Sequence, residues 1–595
     1  MTTANYDFLA DDAAKRAQWL VEIDMLRCDN QYTQAQCTAP DGGDGLRCWY
    51  SFPTCQDRVN YVTSKRTLYF CFQDVPWSDD TLQVYPLLQK LVAVPQKIDA
   101  RRLHTFPEQL NLSMALDYLP PPPDHDKGSA LFNTGSPGEF WANLFARNLN
   151  YSGRPVRVKR GFYSADDFAL ADFQQIGPEY RLKAYSISDA AVKITCESKL
   201  ADLDKRQIPF AVSDDNLITD AAGISSVATT INVTSAAEFP DPAEFTRNTM
   251  YVEIENEIME LTAIDTALDT LTVANRGSFG TSPSFHPMGA QVTHVVGFSS
   301  DVVGTPDNPM EIMQDLLEWA GIAAADVDTT SFDTIKEVVW PEDNCARLIR
   351  RPKKVSELLQ QLRETRGVAI FLDTSGKFAA ATLLPDEDGT ALTDTNFIED
   401  SLTIEVDDEA RISRVLYLYD PVEDNASNTD DFAKVVVEIN TDLEDANLFG
   451  DKREKVILDQ LLDPGAIIAE VRNIARRLIS RFRFGLRTFT FQLEIADATA
   501  IYVGDALTVN TFKVLGVDGA AETRPVLVTA KREVDRTRVE FQAVDVNFSG
   551  RFFRMGPEAM TATYTDGDAN LIYGYWGDAS DNTVGVRNVD GYIYF

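Results

Sequence analysis

Residues 138–162 read GEFWANLFARNLNYSGRPVRVKRGF, and this stretch decides the fold. Its first half places Phe140, Trp141, Leu144, Phe145 and Leu149 on one side of a short amphipathic helix. Its second half alternates Val156 and Val158 with Arg157 and Lys159, the period-two pattern of a strand. One short helix feeding a strand, among many strand-like runs, predicts an α+β chain that is mainly β. Such runs alternate with polar turns from about Thr67 to Leu119, and resume at Tyr180–Ile187 and Val192–Glu197.

Further out the character changes in blocks. The first twenty-four residues suggest a helix, with Asp11 and Asp12 near its start and Ala13, Ala14, Ala17, Leu20 and Val21 at helical spacing. Pro120–Pro123 predicts a rigid extended loop, beside which Asp124, His125 and Asp126 are expected to be solvated rather than metal-bound. Residues 211–298 contain only short alternating runs and turns, a small all-β module. Its His286 has no obvious nucleophile or paired carboxylate nearby, so a structural hydrogen bond is expected. Asn308 and Pro309 cap a helix ending at Gly321; a second helix carries Val355, Leu358, Leu359 and Leu362 and stops at Gly367, before a hairpin over 368–384. Acid clusters at 386–388, 407–409 and 430–431 lack a calcium-loop pattern and are expected to face solvent. The longest helix is predicted over 464–483. One side is apolar; Arg472, Arg476, Arg477, Arg481 and Arg483 on the other are expected to meet acidic neighbours or another subunit. Strands follow from Phe489 to Val544, and the last residues are rich in Tyr and Gly, suited to docking.

At 595 residues the chain has room for several domains. A net charge of -36 argues against a nucleic-acid clamp, because gripping phosphate needs clustered cations. No apolar run approaches the roughly 20 residues of a membrane span. No nucleophile elbow, zinc-protease motif, P-loop or dinucleotide fingerprint is present, so a non-enzymatic role is expected.

Four cysteines form a compact frame: Cys28, Cys37, Cys48 and Cys55, with gaps of eight, ten and six residues. Short loops let four sulfurs converge, and Asp41–Gly45 supplies a turn. Three readings stay open. Disulfides suit a secreted domain, but the N-terminus does not resemble a signal peptide. Zinc usually shows narrower Cys pairs. An iron–sulfur cluster tolerates these gaps and could be shielded by Tyr32, Trp49, Tyr50 and Phe52. Cys71, Cys196 and Cys345 read as buried core thiols.

The block RCDNQYTQAQCTAPDGGDGLRCWYSFPTCQDRVNY (27–61) resembles an N-terminal signature of tail-tip hub proteins of long-tailed bacteriophages and gene transfer agents. Its spacing is similar to that of the lambda-like minor tail protein L family. That resemblance implies a [4Fe-4S] cluster on Cys28, Cys37, Cys48 and Cys55, with Cys71 as an extra thiol. FWANLFARNLNYSGRPVRVKRGF, DNPMEIMQDLLEWAGI and the 464–545 region resemble hub modules, and NRGSFGTSPSFHPMGAQV resembles a small β module of phage tail proteins. The implied division is a cysteine-rich segment (1–75), a first barrel-like module (76–210), an inserted β domain (211–298), a mixed α+β module (299–400), a second barrel-like module (401–550) and a docking tail (551–595).

The implied role is structural: a homotrimeric baseplate hub whose six barrels match a sixfold tail tube, closing the tail and opening for DNA ejection. Implied partners are the distal tail protein or tube ring above, a spike or fibre below and the tape-measure protein in the lumen. DNA would pass without sequence-specific binding. The expected location is the virion tail tip, after synthesis in the host cytoplasm. A second reading gives the inserted domain a host-receptor role.

Overall fold

The structure is a computed structural model that describes residues 16–30, 51–72, 84–116, 139–163, 170, 173–247, 249–299, 306–341, 344–373, 375–382, 389–422, 426–498, 500–515, 519–534, 538–546, 553–554 and 593–594. The Pro120–Pro123 loop, His125, residues 386–388 and nearly all of 551–595 lie outside the described residues.

The first sheet contains β1 (Arg16–Cys28), β2 (Thr63–Cys71), β3 (Val84–Tyr85), β4 (Leu88–Val94), β7 (Gln109–Met114), β8 (Pro155–Tyr163), β10 (Tyr180–Ile187) and β11 (Val192–Ser198), in spatial order β3-β2-β1-β8-β10-β11-β7-β4. β9 (Gln174–Gln175) pairs off this path with β8, while β5 (Lys97–Asp99) and β6 (His104–Phe106) leave for another sheet. The path ends, β3 and β4, are separated only by Pro86 and Leu87. Three peptide steps reach at most about 11 Å, so the sheet must curl round until its edges meet, as in a barrel. Helix α1 (Glu139–Arg147) lies against its core: Trp141 stacks on Phe70 at 5.3 Å and donates Nε1–H to the Ala115 carbonyl at 2.9 Å.

The N-terminal segment corrects the helical expectation, since residues 16–28 form a central strand. Trp19, Val21, Ile23 and Met25 face the barrel core, a period of two. On the opposite face Glu22 and Asp24 are buried against Arg157, Lys159 and Lys65. Those cross-strand charges fix β1 as a strand, overriding the helical spacing of Ala17, Leu20 and Val21; Ala13 and Ala14 lie outside the described residues.

The inserted residues form β13 (Thr230–Asn232), β14 (Met250–Ile254), β15 (Glu257–Asp265), β16 (Thr270–Arg276) and β17 (Val292–Phe298), to which β18 (Arg347–Ile349) adds an edge. β12 (Gln207–Ile208) pairs with β19 (Lys353–Lys354) beside it. The mixed module has α2 (Pro309–Trp319), capped by Asn308 Oδ1 accepting from the Met310 N–H at 2.9 Å, and α4 (Val355–Arg366), ended by left-handed Gly367. Between them lies α3 (Thr329–Val338), unforeseen because only Phe332 and Ile335 of it are buried. The hairpin β20 (Val368–Leu372) and β21 (Phe378–Thr382) follows.

The last sheet has spatial order β22-β28-β29-β30-β27-β23, from β22 (Thr390–Thr393), β23 (Thr403–Asp407), β27 (Leu486–Glu494), β28 (Ala506–Leu515), β29 (Ala521–Glu533) and β30 (Arg538–Asp545). Its ends, β22 and β23, are again consecutive in sequence. Between β23 and β27 the chain makes a three-stranded sheet, β24 (Arg414–Pro421), β25 (Phe432–Ile439) and β26 (Glu454–Leu458), packed on α5 (Ile468–Phe482). The helix starts four residues later than expected, because residues 463–466 form a turn, with the Ala466 N–H on the Asp463 carbonyl. A short α6 (Ile495–Ala498) joins β27 to β28.

The two curled sheets share one topology. Each has two consecutive end strands (β3 and β4; β22 and β23), an excursion, and then four strands with a helix after the first. In each, the second end strand pairs with the first of the four, then come the fourth, the third and the second: β4-β7-β11-β10-β8 and β23-β27-β30-β29-β28. In the second sheet the first end strand closes on the second of the four, β22 running parallel to β28. In the first, the β1–β2 hairpin is interposed there, and β3 runs parallel to β2.

Candidate functional site

Two features draw the functional residues together: the cysteine hairpin, and the junction of the two barrels. The β1–β2 ladder ends at Cys28 opposite Thr63, and the Asp29 N–H adds one more bond to the Val62 carbonyl at 2.9 Å. The ladder thus pins Cys28 at the neck of the connection between β1 and β2, within which Cys55 also lies. Cys28 is buried at the neck. Cys55 is half-buried and follows a turn at Phe52–Thr54, in which Ser51 Oγ and Thr54 Oγ1 are 3.0 Å apart. Phe52 packs edge-on to Tyr61 at 5.2 Å, with Arg58 over its ring at 5.1 Å. Cys37, Cys48, Tyr32, Trp49 and Tyr50 lie outside the described residues.

Among the described residues no disulfide joins Cys28 to Cys55, and no three metal-ligating side chains converge. Cys28 at the pinned neck and Cys55 after the 52–54 turn are soft donors of the kind a thiolate-held cluster takes. Cys71, Cys196 and Cys345 are buried; burial pushes the Cys196 thiol well above its ordinary range, away from thiolate chemistry.

The hairpin is anchored by charge. Arg157 spans Glu22 and Asp24, both at 2.8 Å, and Lys65 and Lys159 add contacts of 2.6 and 2.8 Å. Burial works against the Asp24 carboxylate, but hydrogen bonds from Arg157, Lys65 and Thr67 outweigh it and hold its pKa below the usual range.

At the junction, the excursion strand β5 leaves the first barrel and joins the second sheet, Lys97 pairing with Ala530 of β29. Arg160 of β8 meets Glu533 of β29 at 2.7 Å, and Arg101 pairs with Asp407 at the end of β23. The 407–409 cluster is thus ion-paired rather than merely solvated, Asp408 meeting Arg411 and Arg453.

The barrels also agree in register. The first residues of β8 and β28 pair with Arg181 and Leu527. The Gly153 N–H bonds the Leu182 carbonyl at 2.8 Å; the Gly504 N–H bonds that of Val528 at 2.9 Å. The Arg154 and Asp505 N–H groups each reach a tyrosine carbonyl, Tyr151 and Tyr502, at 3.2 Å. Each third strand has a bulge at the same place, between Leu182 and Ala184 and between Val528 and Ala530. The sequence signal for this repeat is slight: Tyr151-x-Gly153 and Tyr502-x-Gly504.

Other candidates are structural. His286 is buried with its ring nitrogens 2.8 Å from Glu255 and Glu257, so a carboxylate pair is present after all. Arg276 pairs with Glu257 and donates to the Ser225, Ala228 and Ser284 carbonyls, tying the glycine-rich loop down. Burial opposes the Glu257 charge, but Arg276, the Ser284 N–H and His286 bring its pKa down to about 2. The insert is seated firmly: Arg247 binds Asp307 and Asp315, and Trp319 donates to Thr249 Oγ1 at 2.8 Å. The α5 arginines act within the chain, Arg476 on Glu438 at 2.8 Å and Arg477 over the Trp340 ring at 3.9 Å.

No protein-family model and no curated protein matches the chain. Similar solved structures include the 43 kDa tail protein of prophage MuSo2 from Shewanella oneidensis, at 10% identity and TM-score 0.34, covering 77% of this chain and 97% of that one. A tail protein from Neisseria meningitidis MC58 is 12% identical with TM-score 0.32, covering 76% and 90%. A chain of a native gene transfer agent virion is 12% identical with TM-score 0.18, covering 49% and 82%.

Proposed function

We propose that this chain is a structural virion protein, the tail-tip hub of a long-tailed phage or gene transfer agent, acting as a homotrimer. The observation that carries this reading is the repeat of one barrel topology, in register, within a single chain. Three copies of a chain with two like barrels offer six similar units on a threefold axis. That arrangement adapts a sixfold tube to a threefold tip. The strong negative charge suits a lumen through which DNA slides without sticking. The distal tail protein or tube ring would sit above, a spike or fibre below, and the tape-measure protein inside.

In this reading Cys28, Cys37, Cys48 and Cys55 would hold a [4Fe-4S] cluster. When bound, it would cross-link a loop with little apolar core of its own. The chain's own residues hold the base of that loop through the Asp29–Val62 bond and the Arg157 ion pairs.

Mass measurement and negative-stain imaging of the anaerobically purified chain test the proposal. A trimer whose top view shows six lobes is expected, with about four irons per chain. A monomer or a two-lobed dimer would sink the hub, and a colourless trimer without iron would sink the cluster alone.

A further inference from the structure

We infer that the outer edge of β10, Lys183–Ile187, is the strip on which a second copy of this chain docks. The inference rests on the hub reading. In both barrels the third of the four strands overruns the start of the second by six residues, 182–187 beyond Pro155 and 528–533 beyond Ala506. An overrunning strand presents unused backbone groups along one side. In the second barrel that side is covered by the same chain: Lys97 of β5 pairs with Ala530, Arg160 reaches Glu533, and Thr529 is only 3% exposed.

In the first barrel the register-equivalent positions are Lys183, Ala184 and Ile187. Among the described residues Ala184 and Ile187 pair with β11, Lys183 is the bulge between them and Leu182, and none of the three has a ladder partner on the β8 side. The Lys183 side chain is 56% exposed and Ile187 is 41% exposed. Among the described residues one edge is therefore covered and its twin is open.

The covering element supplies the identity of the partner. β5 begins three residues after β4, within the excursion that follows the second end strand. The equivalent excursion of the second barrel follows β23 and starts with Asp408, Glu409 and Ala410. Within one chain this segment is held on the second barrel by Arg411 and Arg453, and the same segment of another copy is the occupant that the repeat supplies for β10. The segment is accessible, Asp408 and Glu409 being 57% and 86% exposed, and Lys183 on the β10 edge, paired with Glu197 at 2.6 Å within its own chain, trades that contact for an intermolecular one on docking. Closing this contact head to tail gives a ring of alternating barrels.

The experiment uses the full chain, mixed from equal parts of isotopically heavy and light protein, with a zero-length carbodiimide joining amines to carboxylates. Cross-links from Lys183 to Asp408 or Glu409 that carry one heavy and one light peptide are expected. Lys183→Glu should weaken trimer association about tenfold while leaving circular dichroism unchanged, and adding Glu409→Lys should restore it. A trimer with no mixed-isotope link at Lys183, or one indifferent to Lys183→Glu, would overturn this edge and leave the hub standing. A chain that stays monomeric at every concentration would overturn both.

Discussion

The two barrels are built on one strand plan and stabilised by different chemistry. In the second, the inner face is aromatic and aliphatic throughout, with Phe491 and Phe541 stacked at 5.7 Å. The first has aliphatic residues at the matching places, Leu112 and Ile194, and fills its interior with Trp141 and Phe145 from α1. It also admits two extra strands, whose outer face is a buried ladder of charge. The lesson is that strand order and register carry the repeat, while core composition is free to drift as long as volume is kept. The charged ladder is the cost of inserting a hairpin that carries the cysteine loop.

The largest test of that contrast removes one side of the ladder. Arg157→Met leaves Glu22 and Asp24 buried with only lysines to face, and should lower the opening free energy of β1 and β8 amides by about 3 kcal/mol. The register-equivalent Thr508→Val in the second barrel should cost about 1 kcal/mol. Hydrogen exchange by mass spectrometry reads both locally. Equal losses at the two positions would show that the ladder does not distinguish the barrels.

A smaller contrast lies at the matched glycines. Gly153 and Gly504 both have positive φ, +79° and +93°. A Cβ on Gly504 would lie 2.1 Å from the Phe371 ring, whereas one on Gly153 meets nothing within 4 Å. Gly153→Ala should therefore cost only the left-handed strain, about 1 kcal/mol, and Gly504→Ala about 3 kcal/mol in denaturant unfolding. A larger loss at Gly153 would mean that the two turns are not equivalent.

Much of the mixed and β-rich character was legible, because local signals agreed with tertiary structure. The cap at Asn308, the left-handed Gly367 and the alternation from Val156 to Val158 all identified their elements. The first strand was misread because Ala17, Leu20 and Val21 also fit a helix, and its deciding partner, Arg157, is far away in sequence. The barrel repeat stayed hidden since backbone register, not side-chain identity, is what it keeps. For the cysteine loop, spacing and the hairpin neck are on view, but Cys37 and Cys48 fall outside the described residues. The carboxylates around His286 come from the β14–β15 turn, so no motif centred on the histidine could reveal them.

The smallest expected effect is a difference in pH response. In the first barrel Glu108 precedes β7 and accepts from the Tyr180 hydroxyl at 2.8 Å; the register-equivalent residue in the second is Arg487, paired with Asp545 at 3.3 Å. Burial, opposed by the hydrogen bonds from Tyr180 and the backbone, pushes the Glu108 pKa up to about 7. A carboxyl whose folded pKa exceeds its unfolded value near 4.5 binds an extra proton in the folded state between those values. The stability it contributes is therefore present at low pH and lost as pH rises from about 4.5 to about 7. Glu108→Gln should flatten that decline for β7, β10 and β11 amides and leave β27, β29 and β30 unchanged. If the wild-type exchange rates of the first barrel, corrected for intrinsic pH dependence, do not rise across this window, the carboxyl is already ionised there and the chemical contrast between the barrels is confined to the charged ladder.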